Sequence, residues 1–182
     1  SDVCSSDLSE RSAITPSYSQ TDLQQKIPGP CGAGIAIYWN GITDTPVTHT
    51  RPVSHHSNSY HGEIQAIDLA LKCITQKKPA LQNRQVHILT DCQSALRAII
   101  SWSNATPDNN LQIIRSINTL VDTLQTRNIN INITWIAEQS NLEGNNLADQ
   151  TAKNAVIQSQ QGPRLISAAQ TIHECVKGIK SK

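Results

Sequence analysis

The 182-residue chain has 37% hydrophobic and 16% charged residues and a formal net charge of +1. This length suits one domain with some residues left over, and the hydrophobic content permits a folded core. No apolar run is long enough to span a membrane and no signal peptide is visible. The near-neutral charge excludes a strong overall basic surface, so any polyanion would have to bind through local patches.

The cysteines and the chain ends bear on compartment and boundaries. Five cysteines, an odd number without a CxxC pair, predict reduced thiols and an intracellular protein, cytoplasmic or nuclear. Methionine is absent, which suggests a piece of a longer product. Residues Ser1–Leu8 match the translation of a common sequencing adapter, so we interpret 1–8 as an artefact. We expect a domain over 9–158 and a linker with a short helical tail over 159–182.

The first half of the chain predicts strands. A short strand with a poor pattern is possible before Asp22. "GAGIAIYW" then reads as a buried strand, and Asn40-Gly41 predicts a hairpin turn. The strand returning from Thr43 to Val53 contains two prolines, which limit it to a sheet edge or place them at strand ends.

Helices and strands then alternate. "YHGEIQAIDLALKCI" has apolar residues at helical spacing, and "QVHILTD" is a short apolar strand that stops at Asp91. "SALRAIISW" and "LQIIRSINTLVDTL" predict two helices. Isoleucines alternate with polar residues over 129–135, which indicates a half-buried strand, and a helix follows from about Leu142 to Ile157. The order predicts an α/β fold with a mixed sheet and helices packed on it.

Several acids fall at informative places. Asp91 lies at the carboxyl end of a strand, where open α/β sheets place their ligand sites. Glu63 lies on the apolar side of its helix, which is costly unless the carboxylate is paired or binds a metal. Asp149 lies early in the last helix, and Asp22 is a fourth candidate. Acids gathered at one sheet edge would suit magnesium or manganese, whereas a single solvated or helix-capping carboxylate is the common alternative for each.

Four segments, taken in order, resemble the ribonuclease H family and most closely its domains in non-LTR retrotransposon polyproteins. They are "GPCGAGIAIYWNG", "SNSYHGEIQAIDLAL", "VHILTDCQSALRAI" and "ITWIAEQSNLEGNNLADQTAK". Together they cover roughly residues 22–158. The resemblance implies a ribonuclease H-like mixed five-stranded sheet flanked by helices, with the second strand antiparallel to its neighbours.

The resemblance also implies the chemistry. The family hydrolyses the RNA strand of RNA–DNA hybrids with two Mg²⁺ ions, which Mn²⁺ can replace, and leaves a 3′-hydroxyl and a 5′-phosphate. Three of its metal-binding acids match Glu63, Asp91 and Asp149. Asp22 is our choice for the first acid, although Leu23 and Gln24 replace the usual glycine and serine. The expected partners are the hybrid and the reverse transcriptase portion of the same polyprotein, with no membrane.

Two further residues are candidates for substrate binding. Gln139 stands where the family has a histidine, and because glutamine does not titrate, the resemblance implies slower catalysis. Asn58 precedes the Glu63 helix, where family members contact the sugar 2′-hydroxyl, although helix capping would explain it equally. An alternative to the enzyme is a catalytically decayed domain with a structural or weak nucleic-acid-binding role.

Histidine and cysteine supply two weaker hypotheses. His55, His56 and His61 cluster before the first helix, but zinc would require a fourth ligand and better spacing. The sequence favours a loop that touches the hybrid backbone. Cys92 follows Asp91 and is interpreted as a buried small thiol and not a nucleophile, because the sequence positions no base beside it.

Overall fold

The structure, a computed structural model, describes residues 12–20, 29–57, 59–77, 84–101, 110–137 and 142–161, with only the backbone described at 12–20, 55–56 and 158–161. The strands are β1 (Ser12–Gln20), β2 (Gly29–Tyr38), β3 (Val47–Ser57), β4 (Gln85–Thr90) and β5 (Asn130–Trp135). The helices are α1 (Ser59–Lys77), α2 (Gln93–Ile100), α3 (Leu111–Gln125) and α4 (Glu143–Gln161). The predicted order of strands and helices is confirmed.

The five strands form one mixed sheet in the order β3-β2-β1-β4-β5. β2 pairs antiparallel with both β1 and β3, whereas β4 pairs parallel with β1 and β5. The predicted fold class, a ribonuclease H-like mixed five-stranded sheet flanked by helices, is confirmed. Because β1, β4 and β5 run in the same direction, their carboxyl ends share one edge of the sheet, which is where α/β sheets bind ligands.

The link between β2 and β3 differs from the predicted tight turn. β2 ends at Tyr38 and β3 begins at Val47, so residues 39–46 form a longer connection. Gly41 adopts a φ of 106°, which a residue with a side chain rarely adopts, and its carbonyl accepts a hydrogen bond from the Asp44 N–H at 3.1 Å. β3 is an edge strand, as its prolines predicted.

The main core lies between the sheet and the pair α1 and α3. Isoleucines and leucines from α1, β2, β4 and α3 are fully enclosed there, including Ile35, Ile64, Ile67, Ile88 and Ile117. β4 alternates buried and half-buried residues, and β5 contributes Ile131. This packing fixes α1 against the sheet and therefore fixes the position of Glu63 relative to the end of β4.

α4 packs on β2 unusually closely. The buried side chains along α4 are small, with Ala148, Ala152 and Ala155 all fully enclosed. A Cβ atom added at Gly34 would lie 2.5 Å from the Ala148 carbonyl oxygen, and one added at Gly32 would lie 2.7 Å from that of Ala152. The glycines therefore let the helix backbone approach the strand. α4 also extends to Gln161, past the predicted end near Ile157.

Among the described residues, no helix combines the length and the apolar character needed to cross a membrane.

Candidate active site at the carboxyl end of β4

Hydrogen bonds from the end of β5 hold the main chain around Asp91. The indole Nε1–H of Trp135 donates to the Asp91 carbonyl oxygen at 3.0 Å, and the Ile136 N–H donates to the Thr90 carbonyl at 2.9 Å. Trp135 is 45% exposed, so its ring lies at the surface of the sheet edge. The main-chain bond extends the pairing of β4 and β5 by one residue, and the indole bond adds a side-chain contact to Asp91. They fix the turn that presents the Asp91 carboxylate beyond the strand end.

The Asp91 carboxylate is contacted by α4. Asn145 Nδ2 donates to Asp91 Oδ2 at 3.4 Å, a long hydrogen bond. Asn145 is only 7% exposed, and its Oδ1 has no hydrogen-bond partner within the part of the chain that the structure describes. A buried carbonyl oxygen without a partner is costly. The first turn of α4 therefore lies against Asp91 and carries an acceptor available to an incoming donor.

Glu63 is buried beneath the same strand end. It is 4% exposed on α1, next to the enclosed Ile64 and Ile67, as the helical pattern predicted. The hydroxyl of Thr90, the last residue of β4, donates to Glu63 Oε2 at 3.3 Å. Burial of a carboxylate requires such partners because desolvation of the charge is expensive. The packing of α1 on β4 thus brings Glu63 next to Thr90, the residue that precedes Asp91.

Glu63 and Asp91 both act electrostatically on the thiol of Cys92. Burial raises the pKa of the Cys92 thiol, its hydrogen bond with Ser94 lowers that pKa, and the negative charges of Glu63 and Asp91 raise it again. A thiol with a raised pKa is a poor nucleophile at neutral pH. Cys31, at the start of β2, has its pKa raised to about 12 by burial and by Glu63. The carboxylates of Glu63 and Asp91 therefore both lie near Cys92, at the carboxyl end of β4.

Asp149, unlike Glu63, is partly exposed and pairs with a lysine of its own helix. It lies one helical turn after Asn145 on α4, and residues four apart share a helix face. Its side chain is 37% exposed and forms an ion pair with Lys153, Oδ2 to Nζ 2.8 Å. No three His, Cys, Asp or Glu side chains among the described residues lie close enough to hold one metal ion. The structure brings Glu63 and Asp91 together and leaves Asp149 paired with lysine.

The donor atoms present fit a hard divalent cation. Mg²⁺ prefers oxygen ligands and is commonly bound by one or two carboxylates, with waters and substrate phosphates completing the shell. Glu63 and Asp91 supply such carboxylates at the sheet edge. The buried amide oxygen of Asn145 adds an acceptor beside Asp91, suited to a hydrogen-bond donor such as a water. Three predicted site residues, Asp22, Asn58 and Gln139, lie outside the described residues.

The histidines do not form a zinc site in the described part of the chain. Of the three, only His61 has a described side chain, and its Nδ1 makes a short contact with Asn110 Oδ1. Its Nε2 lies 3.5 Å from Gln65 Nε2. Neither neighbour is a usual zinc ligand. His61 is therefore part of a polar contact between α1 and the start of α3.

Sequence reasoning missed a buried ion network behind the site. Asp68 is 2% exposed and contacts Arg51 at 2.8 Å, Lys72 at 2.7 Å and the Ser116 hydroxyl at 3.1 Å. It joins β3, α1 and α3. An acid within the apolar run "AIDLALK", followed four residues later by lysine, was the available signal. Thr90, Asn145 and Trp135 were missed as site residues too, because their partners are distant in sequence.

Comparison with known proteins agrees with this architecture. A family model described as RNase H matches residues 21–157. The N-terminal RNase H domain of rv2228c from Mycobacterium tuberculosis is 15% identical, with a TM-score of 0.61, covering 84% of this chain and 98% of that one. LC11-RNase H1, isolated from compost and solved in complex with RNA/DNA hybrid, is 14% identical, with a TM-score of 0.60, covering 80% and 99%.

A viral domain is also similar. The solution structure of the PFV RNase H domain is 17% identical, with a TM-score of 0.56, covering 82% of this chain and 94% of that one. A search of curated proteins found no match. Identities this low establish a shared fold and nothing finer. The family match spans most of the described sheet and helices, and on that basis the chain belongs to the RNase H family.

Proposed function

We propose that this domain hydrolyses the RNA strand of RNA–DNA hybrids in a reaction that requires divalent metal ions. The observation that carries the proposal is the meeting of Glu63 and Asp91 at the carboxyl end of β4 in an RNase H family chain. The similar LC11-RNase H1 is described in complex with RNA/DNA hybrid. That substrate class is therefore the first to test.

The residues of this chain would divide the work as follows. Glu63 and Asp91 would hold the metal ions, with Asp149 and Asp22 completing the set of acids. Bound Mg²⁺ would supply the electrostatic stabilisation of the phosphate and the activation of water that two-metal sites provide. Water adds to phosphorus and the P–O3′ bond breaks, which leaves a 3′-hydroxyl and a 5′-phosphate. Asn58 would contact a 2′-hydroxyl, and Gln139 would contact substrate without transferring protons.

In this scheme the ion pair between Asp149 and Lys153 has to break before Asp149 can bind a metal ion. An exposed ion pair between residues four apart on a helix stabilises by only about 0.3–0.5 kcal/mol. A divalent cation near the carboxylate competes with Lys153 at little energetic cost. Asp149 follows Asn145, which contacts Asp91, by four residues, and residues so spaced share a helix face, which supports the proposal that Asp149 can reach the same site. The ion pair is therefore compatible with a role for Asp149 in metal binding.

The alternative is a decayed domain that binds hybrid without cleaving it. The Asp149–Lys153 pair and the glutamine at 139 favour it. We further propose that the domain, predicted over 9–158, extends to the end of α4 at Gln161, with 1–8 an artefact and the rest of the predicted 159–182 segment a linker and tail. Its source would be a non-LTR retrotransposon polyprotein that acts inside the cell, where its partner is the reverse transcriptase portion of the same chain.

Substrate selectivity tests the proposal. Labelled RNA–DNA hybrid, double-stranded RNA and double-stranded DNA of one sequence are incubated with the full chain in Mg²⁺ and separately in Mn²⁺. We expect cleavage of the RNA strand of the hybrid alone, and its loss in Glu63→Gln. Asp122→Asn, which changes an exposed acid on α3 to its amide, is the matched control and should cleave like the parent. Hybrid binding with no cleavage in either metal would favour the decayed domain.

A further inference from the structure

Thr90 adjoins both candidate acids, since it precedes Asp91 in the chain and hydrogen-bonds to Glu63. It is the last residue of β4, it directly precedes Asp91, and it is fully buried. Its main chain is fixed because Thr90 pairs with Trp135 in β5 and its carbonyl accepts from the Ile136 N–H at 2.9 Å. Threonine is branched at Cβ, which restricts its side-chain rotamers. The hydroxyl is therefore held at a defined place within the strand end.

The direction of the two hydrogen bonds of the Thr90 hydroxyl follows from which of the groups can donate a hydrogen. A hydroxyl has one hydrogen to donate and lone pairs that accept. The Cys92 N–H can only donate, and it lies 3.2 Å from Thr90 Oγ1. A carboxylate oxygen can only accept, so the hydroxyl hydrogen points to Glu63 Oε2 at 3.3 Å. One oxygen thus links the main chain just after Asp91 to the carboxylate of Glu63.

We infer that Thr90 is a positioning residue that fixes the Glu63 carboxylate relative to Asp91. The inference rests on the proposed function, because it concerns how the two acids would share a metal ion. Glu63 has a long side chain with several rotatable bonds on α1, whereas the main chain of Asp91 is held by hydrogen bonds from the end of β5. Glu63 comes from α1 and Asp91 follows β4, two elements that pack in the same core. The Thr90 hydroxyl connects the Glu63 carboxylate to the main-chain N–H of Cys92, the residue that follows Asp91.

Both hydrogen bonds are longer than most of their kind. Their contribution is therefore orientation more than strength. Residues that hydrogen-bond to ligating carboxylates typically alter metal affinity by about 10- to 100-fold when removed. A merely structural hydroxyl would change the stability of the fold and leave metal affinity unaltered. That difference separates the two roles.

The test uses the full chain with Thr90→Val, which keeps the side-chain shape and removes the hydroxyl, and Thr90→Ser, which keeps the hydroxyl. Thr119→Val, on the exposed side of α3, is the matched control. Mg²⁺ binding is measured by calorimetry without nucleic acid, and hybrid binding is measured in EDTA. If Thr90→Val does not fold, Thr90→Ala removes the same hydroxyl and takes its place.

We expect Thr90→Val to weaken Mg²⁺ binding about tenfold while hybrid binding in EDTA stays unchanged, with Thr90→Ser and Thr119→Val close to the parent. Parent-like Mg²⁺ affinity in Thr90→Val, or equal loss in Thr90→Ser, would overturn the inference. If the parent binds Mg²⁺ and cleaves hybrid while Thr90→Val matches it, only the positioning role fails. If the parent itself does not bind Mg²⁺, the proposed function fails and the positioning role fails with it.

Discussion

Replacing Gly34 with alanine should force α4 away from the sheet. The added Cβ would lie 2.5 Å from the Ala148 carbonyl oxygen and closer still to the Ala152 nitrogen. Ordinary contacts begin at 3.4 Å, and both obstructing atoms belong to the helix backbone. No side-chain rotation relieves such a clash. Either α4 or β2 has to move, and β2 is held between β1 and β3.

The size of the effect follows from the displacement. In a strand with free space, Gly→Ala stabilises by about 0.4–1 kcal/mol because the unfolded chain loses freedom. Here an outward shift of about 1 Å would forfeit a quarter to a half of the dispersion energy along the α4–β2 contact. Overpacking of this kind costs about 1–3 kcal/mol, and a backbone clash belongs in the upper part of that range. We expect a loss of about 2–3 kcal/mol, which lowers Tm by about 4–12 °C.

Urea unfolding followed by circular dichroism measures this loss directly. Thr50→Ala is the control, because Thr50 pairs with Gly34 across the strands but is exposed on β3, and it should change stability by less than about 0.5 kcal/mol. Hybrid cleavage should fall as well in Gly34→Ala, since a shifted α4 would carry Asn145 away from Asp91. Unchanged or increased stability of Gly34→Ala would refute the close packing of α4 on β2.

Three other predictions concern the buried polar groups. Asp68→Asn should lower the free energy of unfolding by about 2–4 kcal/mol in urea titrations, below the full cost of breaking a buried pair because both cations are partly exposed; a loss under 0.5 kcal/mol would contradict the network. Without divalent metal, Cys31 alone should lower stability by up to about 1.4 kcal/mol per pH unit from pH 9 towards 12, because the folded state keeps the Cys31 proton that the unfolded chain releases. Cys31→Ala should make the slope shallower by this amount and leave the part due to Cys73 and Cys92, whose pKa values burial also raises. Asn145→Ala should slow hybrid cleavage about tenfold in kinetic assays at fixed Mg²⁺, whereas parent-like rates would show that its amide does not orient Asp91.

Local sequence patterns were sufficient for most elements. The helical spacing of apolar residues identified α1 and α3, and alternation identified β5, because each of these segments buries one face against the same core. The exact end of α4 was missed, since "QSQQGP" resembles a linker and the helix continues to Gln161. Polar residues at a helix end give little signal.

β1 shows why pairing can override a local pattern. "SAITPSYSQ" contains Pro16, which argues against an interior strand. β1 nevertheless lies between β2 and β4. Its pairing with β4 covers only Ser12–Ile14, so the strand beyond that point pairs on one side, and Pro16 lacks a neighbour in β4 that would require its N–H. This arrangement depends on sheet register, which the sequence does not reveal.

The positions of the candidate acids Glu63 and Asp91 in the fold were predictable from the sequence, whereas the residues that contact them were not. Glu63 and Asp91 could be identified because an acid on an apolar helix face and an acid ending a strand are both unusual. Their partners Thr90 and Asn145 are ordinary polar residues, and their roles depend on contacts between α1, β4 and α4. The pairing of Asp149 with Lys153 was readable as an i,i+4 pair, although the sequence did not show which partner would prevail.

Cleavage of a labelled RNA–DNA hybrid in Mg²⁺ by the parent chain, beside Asp91→Asn and the surface control Asp122→Asn, tests the central claim most directly. The account predicts RNA-strand cleavage by the parent and by Asp122→Asn, and none by Asp91→Asn. Absence of cleavage by a folded parent in Mg²⁺ and Mn²⁺, or equal cleavage by folded Asp91→Asn, would contradict a metal-dependent site built on Glu63 and Asp91.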